Sequence, residues 1–170
     1  MNNRRTELFP VPMRKRPWNL IDVPVYSLVT RNGDETNMNL CTYVTAISLK
    51  PKRYVVGVFK DSCTYDRMRT SDKAVLQFLG KDNLPQCRLL GLKSGRRVDK
   101  TALLNKKKLL DEWNGFPILK NCAAVVLLRK RSMTSAGDHD LVLFNVMEAV
   151  SFHDDVLMLN DLRAAKMIRI

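Results

Sequence analysis

Three short stretches of the chain concentrate side chains able to hydrogen-bond a polar ligand: Asn37-Met38-Asn39, Thr42-Tyr43-Val44-Thr45-Ala46-Ile47-Ser48 and Lys60-Asp61-Ser62-Cys63-Thr64. Hydroxyls and amides donate and accept, and the lysine adds a positive charge. Taken singly, the same residues are equally well the threonines of ordinary strands and the cap of a helix. The motifs of other chemistries are missing. The sequence has no G-x-S-x-G, P-loop, H-E-x-x-H or G-x-G-x-x-G, which removes support for the hydrolase, P-loop, zinc-protease and dinucleotide-fold readings. Cys41, Cys63, Cys87 and Cys122 form no C-x-x-C pair and have no histidine at ligand spacing, so buried or half-buried thiols are expected in place of a zinc site. His139 and His153 stand far apart among acidic neighbours and would meet at a metal only by spatial coincidence.

Positioning these groups falls to one domain. The chain has 170 residues, 45% hydrophobic and 27% charged, which suits one soluble core and excludes collagenous, low-complexity and wholly disordered chains. The longest apolar run, Cys122 to Leu128, falls far short of the roughly 18 residues of a membrane span. The basic N-terminus has no apolar stretch of a secretory signal behind it, so a cytoplasmic protein without membrane contact is expected. The net charge is +12, and residues 1–17, 88–108 and 129–131 hold all of the excess. Such patches suit an anionic partner: nucleic acid, an anionic membrane or a phosphate-bearing small molecule. Against nucleic acid, the basic clusters lack interleaved aromatics and no known nucleic-acid-binding motif is present.

Residues 1–19 carry Pro10, Pro12 and Pro17 among basic side chains and read as an arm, leaving 20–170 as the domain. Val23 to Thr30 is rich in β-branched and aromatic residues and ends at Arg31-Asn32-Gly33-Asp34, a strand followed by a turn. Cys41 to Leu49 and Tyr54 to Phe59 read as two more strands, and the close spacing predicts an antiparallel meander or barrel. The polar cluster before Tyr65 predicts a capped helix over 64–70. Lys73 to Leu79 reads as a strand, and 80–115 as helices and loops wrapped on the barrel. Ala123 to Arg131 and Asp140 to Val150 form a hairpin joined by Ser132 to His139, and the chain closes with Val156 to Leu159 and a terminal segment.

In order, these elements resemble the flavin reductase family, built on the FMN-binding split β-barrel, over about Pro24 to Val150. Pro24 to Thr30 with Asn37-Met38 is similar to the family's P-V-x-x-V-T opening, and Tyr43 to Pro51 to its S-F-x-S-V-S-x-x-P-P stretch. Phe59 to Thr64 looks like the K-x-S-x-T turn, while Asp99-Lys100, Gly115 to Leu119 and Gly137-Asp138-His139 look like its D-K, G-x-P-x-L and G-D-H elements. The fold class implied is mainly β, an antiparallel Greek-key type barrel with a few short helices.

The resemblance implies an NAD(P)H-dependent oxidoreductase that reduces FMN or FAD, with NADH or NADPH as reductant and a monooxygenase or another acceptor as partner. It places Asn37, Met38 and Asn39 near the flavin edge and ribityl chain, with Thr42 and Tyr43 offering further contacts. Thr45, Ala46, Ser62 and Thr64, helped by Lys60, would form the phosphate nest. Gln77 stands where the family usually has an asparagine facing the ring. His139 would orient the nicotinamide, or else is a hairpin residue bonded to Asp138 or Asp140. Lys100, with Arg96 and Arg97 as candidates on the same loop, would attract the pyridine nucleotide's phosphates, or else the run is a solvated basic face. Family barrels usually pair as homodimers with the flavin near the interface. Lys52-Arg53, Tyr43 and Phe144-Asn145-Val146 depart from the family pattern at its second proline, a common serine and a Gly-Glu step. A non-catalytic FMN-binding electron carrier and a basic nucleic-acid-binding module remain the competing readings.

Overall fold

The computed structural model describes residues 16–168, so most of the expected N-terminal arm lies outside the described residues. Of that arm, Pro17–Asn19 makes one 3-10 turn, with Arg16 over the Trp18 ring. A proline at the first helical position sacrifices no hydrogen bond, which is why this turn is tolerated.

Strands β1 (Tyr26–Asn32) and β2 (Glu35–Cys41) form a hairpin through Gly33, whose φ of +58° lies in the left-handed region. Strands β3 (Val44–Ser48) and β4 (Arg53–Phe59) form a second hairpin, followed by helix α1 (Cys63–Thr70) and β5 (Lys73–Phe78). Two short helices, α2 (Cys87–Leu92) and α3 (Lys100–Lys106), lead to the small hairpin β6 (Leu110–Trp113) and β7 (Phe116–Leu119). The long hairpin β8 (Ala124–Ala136) and β9 (His139–Ser151) and helix α4 (Leu159–Ala164) complete the chain. Among the described residues no helix is long and apolar enough to cross a membrane.

Seven strands form one antiparallel sheet in the order β2-β1-β5-β8-β9-β4-β3. Strands β2 and β3 are its opposite edges, yet only Thr42 and Tyr43 separate them in sequence. Three Cα steps reach at most about 11 Å, so the sheet must curl until its edges nearly meet. The edges do not pair, and the barrel is split. Its interior gathers Leu28, Leu76, Leu128, Val142, Phe144, Val56 and Val58 from β1 round to β4, with Met68 of α1 closing one end. The outer face of β1, β5 and β8 carries Val29, Val75 and Val125 against Leu90, Leu104, Phe116, Leu119, Leu157 and Leu162. Burial on both faces explains why these strands read as continuous apolar runs.

The antiparallel barrel agrees with the sequence reading, but its local details differ. The expected strand Cys41 to Leu49 is broken at Thr42-Tyr43, because there the chain passes from one sheet edge to the other. The first strands are no meander: β1 bonds to β5, and β4 to β9. The expected connection Ser132 to His139 shrinks to a tight turn at Gly137, φ +75°, with β8 and β9 extended to meet it. The helices and loops expected over 80–115 are joined by β6.

Candidate functional site

Helix α1 begins where it does because Ser62 caps it. The Ser62 backbone is extended, and its Oγ accepts from Tyr65 N–H at 3.1 Å and donates to the Phe59 carbonyl at 2.6 Å. Thr64, 1% exposed, accepts a hydrogen bond from Asn37 Nδ2 at 3.0 Å, which fixes α1 to β2. Asn37 pairs with Thr30 and Asn39 with Leu28, so both asparagines share the face of β2 that looks toward α1 and the barrel interior. The Asn39 Oδ1 atom is buried with no hydrogen-bond partner among the described residues. Together with Leu90 to Ser94 these residues line a cleft of about 330 Å³.

Lys100 lines the same cleft. It is 4% exposed, and its Nζ donates to the Leu90 carbonyl at 2.6 Å. Among the described residues no carboxylate forms an ion pair with it. Burial pulls its ammonium down from 10.5 to about 8. A buried ammonium and a helix N-terminus with free N–H groups form a donor set suited to an anion such as a phosphate ester, while the unpartnered Asn39 amide oxygen is an acceptor suited to a hydroxyl beside it.

A second cleft, of about 500 Å³, lies between β3, β4 and the β8–β9 turn. Thr42, Tyr43, Thr45, Gly57, His139 and Leu141 are among its walls. Gly57 lets Tyr43 lie close, since a Cβ there would sit 3.0 Å from Tyr43 Cβ. The His139 ring packs against Tyr43 edge-on and against Phe59, both with ring centres 5.3 Å apart. Its Nδ1 lies 2.7 Å from Asp138 Oδ1, and that hydrogen bond holds the Asp138 carboxyl below its ordinary range. Phe59 borders the first cleft and touches the second through its contact with the His139 ring.

The residues singled out from sequence therefore divide. Asn37, Asn39, Ser62, Thr64 and Lys100 meet at the first cleft; Thr42, Tyr43, Thr45 and His139 meet at the second. Met38 is fully buried in the outer core layer, on the opposite face of β2 from its asparagine neighbours. Gln77 is also fully buried on that outer face, beside Ser27, with its Oε1 accepting from Leu119 N–H at 2.6 Å. Ala46 is exposed on β3 outside both clefts. Lys60 bonds Ser135 Oγ at 2.7 Å and the Gly137 carbonyl at 2.6 Å, with Asp140 Oδ1 at 3.5 Å, so it braces the β8–β9 turn. Sequence reading gave no role to Gly57, Phe59 or Cys63. A lone glycine inside a strand was the available signal for the first, because it marks a close approach.

The chain matches the family described as "Flavin reductase like domain" over residues 18–165. It is 28% identical over 127 residues to a high molecular weight rubredoxin of Moorella thermoacetica, a match covering 74% of this chain and 54% of that protein. The chain thus spans about half the length of that curated relative. The fold is that of a flavoredoxin from Methanosarcina acetivorans, with TM-score 0.73 at 18% identity, covering 89% of this chain and 85% of the other. It is likewise that of an NADH:FAD oxidoreductase of Streptomyces globisporus, with TM-score 0.68 at 19% identity, covering 78% and 77%. Matched over nearly its whole length, this split-barrel chain belongs to the flavin reductase like domain family.

Proposed function

We propose that the chain binds FMN or FAD and reduces it with NADH or NADPH, passing the electrons to a monooxygenase or another acceptor. The observation that carries this reading is Lys100, a buried ammonium without a carboxylate partner beside the N-terminus of α1. Burying an uncompensated charge costs several kcal/mol, so the site is better suited to an anion than to water alone. A flavin phosphate supplies that charge. Ser62, Thr64 and the first N–H groups of α1 hold the phosphate with Lys100, and Asn39 offers its free oxygen to a ribityl hydroxyl. The second cleft, walled by Tyr43, Val55 and Leu141, keeps water from a planar ring. His139, braced by Asp138, Tyr43 and Phe59, orients the nicotinamide. Bound flavin itself supplies the hydride-accepting chemistry, so no protein acid or base is required.

The competing reading is an electron carrier that keeps the phosphate site without a nicotinamide site; the likeness to a flavoredoxin and a rubredoxin favours it. A visible spectrum of the protein with FMN, followed by anaerobic NADH or NADPH, decides. Flavin that binds and bleaches at a catalytic rate supports the reductase. Flavin that binds without bleaching supports the carrier, and no binding overturns both.

A further inference from the structure

Two carboxylates stand at the start of α1. Asp61 directly precedes the cap of α1 and borders the first cleft, and Asp66 lies in the first turn. Both would repel a phosphate. Arg96 meets them together: its Nε lies 2.9 Å from Asp66 Oδ2 and its Nη1 lies 2.5 Å from Asp61 Oδ1. Arg96 belongs to the segment 93–97 that runs from α2 toward α3 across the start of α1. Gly95 is the close point of that crossing, where a Cβ would overlap Asn37 Oδ1 and lie 3.1 Å from Cys63 Cβ. Lys93 and Ser94 of the same segment wall the cleft.

We propose that Arg96 is a specificity-determining residue for the phosphate: by pairing Asp61 and Asp66 it screens the two charges that would otherwise keep an anion from the α1 terminus. It acts through the carboxylates and does not touch the ligand. Exposed ion pairs add little to stability, so removing this one is expected to leave the barrel folded. The inference rests on the flavin reading for its natural ligand and on geometry alone for its anion.

The test measures binding of FMN and of riboflavin, which lacks the phosphate, by quenching of flavin fluorescence. Arg96→Gln is expected to lower the preference for FMN over riboflavin by about tenfold, since it leaves two unscreened charges within reach of a phosphate. Adding Asp61→Asn and Asp66→Asn to Arg96→Gln is expected to restore the preference. A triple variant as weak as Arg96→Gln would mean that the arginine binds phosphate directly and would overturn the screen. Equal losses for FMN and riboflavin, or no change in preference, would overturn it as well. Calorimetric titration with inorganic pyrophosphate should follow the same order. If the wild type binds pyrophosphate but no flavin, the flavin reading fails and the pyrophosphate series still decides the role of Arg96.

Discussion

Lys100 shows how one residue can couple affinity to pH. Its folded value of about 8 lies below the 10.5 of an open chain, so the folded protein gives up this proton first. Between those values the unfolded state binds more protons and stability rises with pH; below about 8 the cost of the buried charge is fully present. Urea unfolding should show that rise in the wild type and lose it in Lys100→Met. An anion in the cleft favours the charged form. FMN affinity should therefore weaken as pH climbs through about 8, while riboflavin affinity stays level. At neutral pH, Lys100→Met is expected to weaken FMN about 10- to 100-fold, the range of a hydrogen bond to a charged group. In the proposed reaction, His139 would serve the other half by orienting the nicotinamide. His139→Ala should leave FMN affinity unchanged and slow NADH- or NADPH-driven bleaching about 100-fold, as misplacing a reactant does. Stopped-flow reduction measured beside a flavin titration separates these effects.

At the scale of elements, the site depends on the junction of α1 with β2. The Asn37–Thr64 hydrogen bond is buried, so Thr64→Val keeps the shape but strands the Asn37 amide, at a cost of about 1–3 kcal/mol. Thr64→Ser should recover most of it, and chemical denaturation checks both. Ser62→Ala removes the cap, costing about 1 kcal/mol. The sequence announced this junction well. Short polar residues before Tyr65 marked the cap, and the helix predicted over 64–70 is observed over Cys63–Thr70. The role of Lys60 was not legible in the same way. Its neighbours in sequence suggest the nest, but its ammonium is drawn to Ser135 and Gly137, more than seventy residues away along the chain.

The whole molecule leaves an apolar strip at its split. Tyr43, Ile47 and Leu49 are 68%, 52% and 87% exposed along the β3 edge, beside the second cleft. A homodimer that covers this strip would also cover the second cleft, the proposed site of the flavin ring. Ile47→Asp with Leu49→Asp should yield monomers in sedimentation velocity. Substitutions at such exposed positions change monomer stability only slightly, so unfolding should not mask the result.

What the sequence determined by itself is whatever near neighbours encode: the extended runs, the capped helix, the Gly33 turn and the order of motifs that resembles the family. Composition and spacing within a few residues suffice for these, because they reflect local backbone preferences and side-chain period. Tertiary structure alone decided which faces and edges meet. Asn37 and Asn39 reach the cleft while Met38 between them enters the core, and Gln77 is turned away, because alternation sends successive side chains to opposite faces. The chain breaks at Thr42-Tyr43 because β3 finds its partner in β4, and β4 finds its own in β9, with Arg53 opposite Asn145. Lys100 joins Thr64 across more than thirty residues of chain. Such contacts are fixed only when the curled sheet buries both of its faces at once, and no local stretch of sequence contains both partners.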